Sequence, residues 1–160
     1  MADKISHADR AEELFRQGYN CAQAVFAAFC DVTGMDESTA LKLSSPFGGG
    51  MGRMREVCGT ISGMYMALGL LYGTDDCAAK EEKAELYSRV RELAEKFREE
   101  QGGSIICREL LPKAMQGESG DPTPRTDDFY RVRPCVRYVR AAAEIFDGFL
   151  SAQRTDKTDS

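Results

Sequence analysis

Apolar residues recur at helical intervals along most of this chain, and the intervals mark where each element starts and stops. Ser6-His7-Ala8-Asp9 has capping-box spacing, and Ala8, Ala11, Leu14 and Phe15 follow on one face until Gly18, which predicts a helix over about 6–17. Asn20 is a good N-cap for a second helix over 21–33. Its run of Ala22, Ala24, Val25, Phe26, Ala27, Ala28 and Phe29 leaves so little polar surface that it should be central. Gly34 closes it. A short third helix, capped by Asp36, is predicted over 36–43, and a fourth over about 55–71, ended by Gly73. The fifth should begin at Thr74-Asp75-Asp76 and run to about Gln101, with Leu86, Val90, Leu93 and Phe97 inward and lysine and glutamate outward.

Gly102-Gly103-Ser104 breaks that pattern, and Ile105 to Leu111 reads as a short helical turn ended by Pro112. Residues 113–131 carry Pro122, Pro124 and little periodicity, a long loop expected to lie over the core or over a site. Pro134 suits the first position of a last helix whose inner face is Cys135, Tyr138, Val139, Ala142, Ile145, Phe146 and Phe149. The polar end, 151–160, is expected to be a disordered tail. No stretch alternates with period two, and no internal repeat is present. The expected fold is all-α: one domain over 1–150, a bundle of five to six helices with a glycine-rich loop.

Composition narrows the function classes. The 160 residues suit one domain with a core large enough to need no disulfides. The 21 basic and 26 acidic side chains give a net charge of −5, with no basic block, so neither nucleic acid nor a membrane is expected as a partner. The first residues contain no apolar signal-like run, and the longest apolar stretch, 61–72, is too short to span a bilayer. A cytoplasmic protein is expected.

In that compartment six cysteines point to metal binding, redox chemistry or burial rather than to persistent disulfides. The single histidine, His7, read as a surface residue, excludes a Cys₂His₂ zinc site. No Cys-x-x-Cys is present, so any site must be assembled from cysteines far apart in sequence. Four of them, Cys21, Cys58, Cys107 and Cys135, fall at or near the start of a predicted helix. Free N–H groups and the positive end of the dipole there favour a thiolate, the form that binds metal or attacks a disulfide. Cys30 and Cys77 lack that setting and read as packing residues.

Just before Cys58 stand four glycines within five positions, Gly48, Gly49, Gly50 and Gly52, able to turn backbone N–H groups inward. With Gly59 they form the candidate covering for a cofactor. The loop lacks the third glycine of a dinucleotide fingerprint and the Lys-Ser/Thr of a phosphate loop. Arg53 and Arg55 read as solvated, with an anionic ligand or the charge of a cluster as the alternative role. Gly59 and Gly63, four apart, suit close approach of another helix or subunit, which would include a homodimer.

The motifs Gly-Tyr-Asn-Cys21-Ala-Gln-Ala-Val, Phe-Gly-Gly-Gly-Met-Gly with Cys58-Gly59-Thr-Ile-Ser-Gly63, Cys107-Arg-Glu-Leu, and Cys135 before an alanine-rich helix together resemble the C_GCAxxG_C_C family of redox-active proteins. The resemblance spans about residues 8–150. Thr60 stands where the family pattern has alanine. The resemblance implies that Cys21, Cys58, Cys107 and Cys135 are the functional cysteines. It also links the chain to the non-haem part of split-Soret cytochromes, where an iron–sulfur centre accompanies haem; the haem-attachment motif is absent here.

The first expectation is therefore an electron-transfer or redox-sensing protein whose four cysteines ligate an iron–sulfur cluster, with zinc as the alternative metal and an unidentified redox partner. The second is a thiol–disulfide oxidoreductase with Cys58 as catalytic nucleophile and another cysteine resolving it. The third is a helical interaction module, without a cofactor, whose cysteines are simply buried.

Overall fold

The structure is a computed structural model that describes residues 4–115 and 120–158. Its helices are α1 (His7–Arg16), α2 (Cys21–Ala28), α3 (Cys30–Thr33), α4 (Glu37–Ser44), a single glycine turn α5 (Gly48–Met51), α6 (Gly59–Tyr72), α7 (Lys80–Glu100), α8 (Cys107–Leu110), α9 (Asp127–Val132) and α10 (Cys135–Thr158). Among the described residues there is no strand, only an isolated antiparallel bridge between Val57 and Ile106. The all-α expectation holds, with more and shorter helices than the periodicity predicted. No helix is long and apolar enough to cross a membrane among the described residues.

The caps explain the early helices. Ser6 Oγ accepts from Asp9 N–H, Asp36 accepts from Thr39 N–H, and Asn20 forms a complete capping box with Gln23. The apolar α2 is indeed central, packed against α1, α4, α6 and α10. Its Val25 and Phe26 and its C-cap Phe29 lose all contact with water, as do Ile61 and Met64 of α6 and Phe146 of α10. Fully burying side chains of this size is worth about 1.5–3 kcal/mol each, which is why the all-apolar stretch takes the middle of the bundle.

Four boundaries differ from the sequence pattern. The second helix is interrupted at Phe29 (φ −101°, ψ 14°), whose ring stacks on His7 at 4.2 Å and meets Phe146 edge-on. The fourth helix starts at Gly59 rather than near Arg55, because Arg55 has φ +61° and Val57 is engaged in the bridge to Ile106. The fifth starts at Lys80: Thr74 Oγ1 accepts from Asp76 N–H and Asp76 Oδ1 from Ala78 N–H, so these side chains fix turns in place of a cap. The expected disordered tail from Ser151 is instead helical through Thr158, while 159–160 lie outside the described residues. A helix already anchored by Phe146 and Phe149 extends at low cost, because only its nucleation is unfavourable.

His7 is not a simple surface residue. Its Nδ1 lies 2.6 Å from Asp147 Oδ1 and its Nε2 2.9 Å from Asp31 Oδ1, which ties α1 to α3 and α10. Gly63 sets the α2–α6 contact: a Cβ there would lie 2.6 Å from Ala22 O and 3.1 Å from Phe26 N. The packing partners are backbone atoms and cannot rotate away. Gly63→Ala should therefore destabilise the fold by about 2 kcal/mol or more, read as a lower urea midpoint at unchanged m-value.

Candidate functional site

All four predicted cysteines line one cavity of about 420 Å³ at the end of the bundle where α2, α6, α8 and α10 begin. Cys21, Cys107 and Cys135 are first residues of α2, α8 and α10, and Cys58 is the N-cap of α6. Four helix starts far apart in sequence thus meet in space. Cys30 and Cys77 are elsewhere: Cys30 opens α3 beside the core, and Cys77 is exposed in the 73–79 connection rather than packed. All six are free thiols.

Two local devices bring the sulfurs together. The first is the Val57–Ile106 bridge, in which Cys58 N–H donates to Ile105 O (2.8 Å) and Cys107 N–H to Glu56 O (2.6 Å). It lays the segments carrying Cys58 and Cys107 side by side. The second is a left-handed turn. Gly49, Gly50, Met51, Gly52 and Arg53 have φ of +67°, +69°, +68°, +60° and +65°, so five successive residues wind against the normal hand. Such a conformation costs L-residues about 1–2 kcal/mol each, and glycine at three of the five positions removes most of that cost.

The glycine loop thus does approach the cysteines, each glycine in its own way. Gly49 N–H donates to Cys21 Sγ. A Cβ on Gly50 would lie 2.7 Å from Cys107 Cβ, and one on Gly59 would collide with Cys21 Sγ. Gly48 rests on the Asn20 side chain, while Gly52 has space around it and serves the turn. Asn20 Nδ2 also donates to Ser45 O (2.9 Å), which ties the cap of α2 to the approach of the turn.

Further donors surround the sulfurs. The amides of Cys21 and Ala22 point at Cys21 Sγ, and Thr60 offers both its N–H and a hydroxyl 3.1 Å from Cys58 Sγ. Arg55 Nη1 donates to Cys107 Sγ at 3.5 Å. Helix-start donors should favour thiolates, but here burial overrides them. Loss of water pushes the Cys21 and Cys58 thiols up and raises Cys135 to about 12; Cys21 adds a repulsive contribution at both Cys58 and Cys135. Cys21 and Cys135 keep some surface toward the cavity, but protein surrounds their sulfurs closely enough for desolvation to dominate.

The donor set also bears on which metal the site fits. A single tetrahedral ion with bonds of about 2.3 Å needs its sulfurs within about 3.8 Å of one another. No three His, Cys, Asp or Glu side chains among the described residues stand as such a set. The four cysteines do line one cavity, and soft sulfur donors of this kind suit zinc or iron–sulfur clusters alike.

The rest of the cavity wall is one the sequence left largely unread. Thr123 and Arg125 come from the aperiodic loop, and Arg133 from the turn before Pro134. Arg125 donates to the carbonyls of Phe15 (3.2 Å) and Tyr19 (3.1 Å) at the end of α1, and Tyr138 Oη donates to Leu110 O (2.9 Å). Of Arg131 and Arg133, two residues apart, the fold sends only Arg133 inward, 7% exposed.

A family model described as "Putative redox-active protein (C_GCAxxG_C_C)" matches residues 19–149. No curated protein and no solved structure matches the chain.

Two outcomes follow from the site. Met51→Gly should stabilise the protein by about 0.5 kcal/mol, because relief of the left-handed strain exceeds the entropy that glycine returns to the unfolded chain; chemical denaturation measures it. Thiols raised above their ordinary value of 9.0 stay neutral in the fold while the unfolded chain ionises. The metal-free protein should therefore keep this contribution below about pH 9 and lose stability as pH rises from there toward 12, measured as a falling urea midpoint.

Proposed function

The chain belongs to the C_GCAxxG_C_C redox-active family, and from that membership together with the shared cavity we propose that it holds an iron–sulfur cluster through Cys21, Cys58, Cys107 and Cys135. The observation that carries this reading is that four cysteines at helix starts far apart in sequence line one cavity. When bound, such a cluster supplies one-electron transfer at a potential set by its ligands and surroundings.

The chain's own groups then have distinct tasks. Cys21, Cys58, Cys107 and Cys135 would hold the cluster as thiolates, and its positive charge would offset the cost of burying theirs. Gly49 N–H, the Thr60 hydroxyl and Arg55 aim donors at three different sulfurs, which stabilises the anionic ligands and orients them. Buried Leu110, Leu111 and Tyr138 limit water on one side, keeping the local dielectric low. In a chain with no cluster, a neutral, desolvated Cys58 is a poor nucleophile, so the same burial weighs against the thiol–disulfide reading. Electron transfer or redox sensing, with a partner still to be identified, is the function these features support.

Iron and acid-labile sulfide analysis on protein prepared without oxygen tests it, alongside absorbance near about 400 nm. Bound iron and sulfide are expected, with both lost in variants carrying serine at Cys58 or Cys107 and retained in Cys30→Ser and Cys77→Ser. A colourless, iron-free wild type after anaerobic reconstitution would sink the proposal.

A further inference from the structure

Part of the cavity wall is the aperiodic segment from Gly120 to Val132, which contributes Thr123, Arg125 and Phe129. Other parts are the starts of α2, α6 and α10, and each of these helices carries side chains sealed from water, Phe26, Ile61 and Phe146 among them. By contrast α9, which makes up the second half of the segment, has no buried residue. Displacing a helix start would pull on the core. Displacing the segment would expose Phe129 and Tyr130, which are already in partial contact with water.

The segment is fastened at one place, the end of α1. Arg125 is inserted between two rings, its guanidinium carbon 4.6 Å from the centroid of Phe15 and 4.6 Å from that of Phe129. Its edge donates to the carbonyls of Phe15 (3.2 Å) and Tyr19 (3.1 Å), where a helix end leaves carbonyls without amide partners and its dipole favours a cation. Tyr130 Oη donates to Arg16 O (3.1 Å), and the rings of Phe129 and Tyr130 meet that of Phe15 at 6.2 Å and 5.7 Å. All of these contacts fall on the short stretch 15–19. On the cavity side Arg53 Nη1 donates to Thr123 Oγ1 (2.6 Å), and beyond the segment Arg133 anchors the chain, 7% exposed.

We propose that residues 120–132 are a movable cover over the four thiols, latched by Arg125 onto the end of α1. A fastening concentrated at one place, on a segment without buried residues, opens as one step while the bundle stays folded. Lifting the cover gives the buried Cys58 and Cys107 access to solvent, and with it a route for whatever the cavity takes up. The cover goes beyond the cluster reading and does not depend on the thiols being loaded.

Alkylation of the reduced, metal-free protein by iodoacetamide, followed cysteine by cysteine with mass spectrometry, tests it. Exposed Cys77 is the internal reference. In the wild type, below the urea unfolding transition, Cys58 and Cys107 should react more slowly than Cys77 and at rates nearly independent of urea, because lifting the cover exposes little surface. Arg125→Ala should speed both by about tenfold or more, with Cys77 and the amide hydrogen exchange of α2 unchanged. Tyr130→Phe, which removes one hydroxyl, should act in the same direction and more weakly. Rates at Cys58 and Cys107 that climb with urea as steeply as global unfolding would overturn the proposal, as would rates unchanged in folded Arg125→Ala. Should that variant not fold, the wild-type urea dependence and Tyr130→Phe decide in its place. Because no metal is present, this outcome is separate from that of the iron and sulfide analysis, and either reading can fail alone.

Discussion

Taking four sulfurs out of water in one place is the constraint on which the rest of this structure depends. A bare thiolate in that setting would lose its hydration with little in return, and several together would repel one another. The fold therefore tolerates two states of the site: neutral thiols, or anionic ligands with a compensating positive charge among them. Amide, hydroxyl and guanidinium donors from Gly49, Thr60 and Arg55 reduce the cost of the second state but do not cancel the desolvation on their own.

The backbone around the site is shaped by the same requirement. Sulfur is large, and two of the conspicuous glycines mark where cysteine atoms take the place of a side chain: Gly59 against Cys21 Sγ and Gly50 against Cys107 Cβ. Gly63 marks where α6 touches the backbone of α2, which brings the start of α6 against the start of α2. The left-handed turn carries an amide to Cys21 that no ordinary helical turn at that point would direct there. Its residual strain, at Met51 and Arg53, is concentrated next to the site and not spread through the bundle.

Much of this was legible in the chain. The caps of α1, α2 and α4, the central place of α2 and the helix-start position of four cysteines follow from local chemistry that tertiary packing did not override. The left-handed turn was legible as a need for glycine, though not as a winding that also draws in Met51 and Arg53. The Val57–Ile106 bridge was invisible, because one pair of residues carries no period-two pattern. The places of Thr123 and Arg125 on the cavity wall were illegible for a related reason: both sit in an aperiodic loop, where only long-range contacts fix orientation. The tail illustrates the opposite error, since polarity argued for disorder where an anchored helix simply continues.

The bridge between Val57 and Ile106 closes a loop of about fifty residues that contains α6 and α7. Closing such a loop carries an entropic cost on the order of 3 kcal/mol, met only once the flanking helices have docked. During synthesis Cys21 and Cys58 leave the ribosome well before Cys107, and Cys135 emerges last of the four. A site that needs all four sulfurs is therefore completed only late, on a chain already folded back on itself. Earlier in its life the nascent polypeptide offers only a partial set of sulfur donors, exposed to oxidants and to the wrong ions.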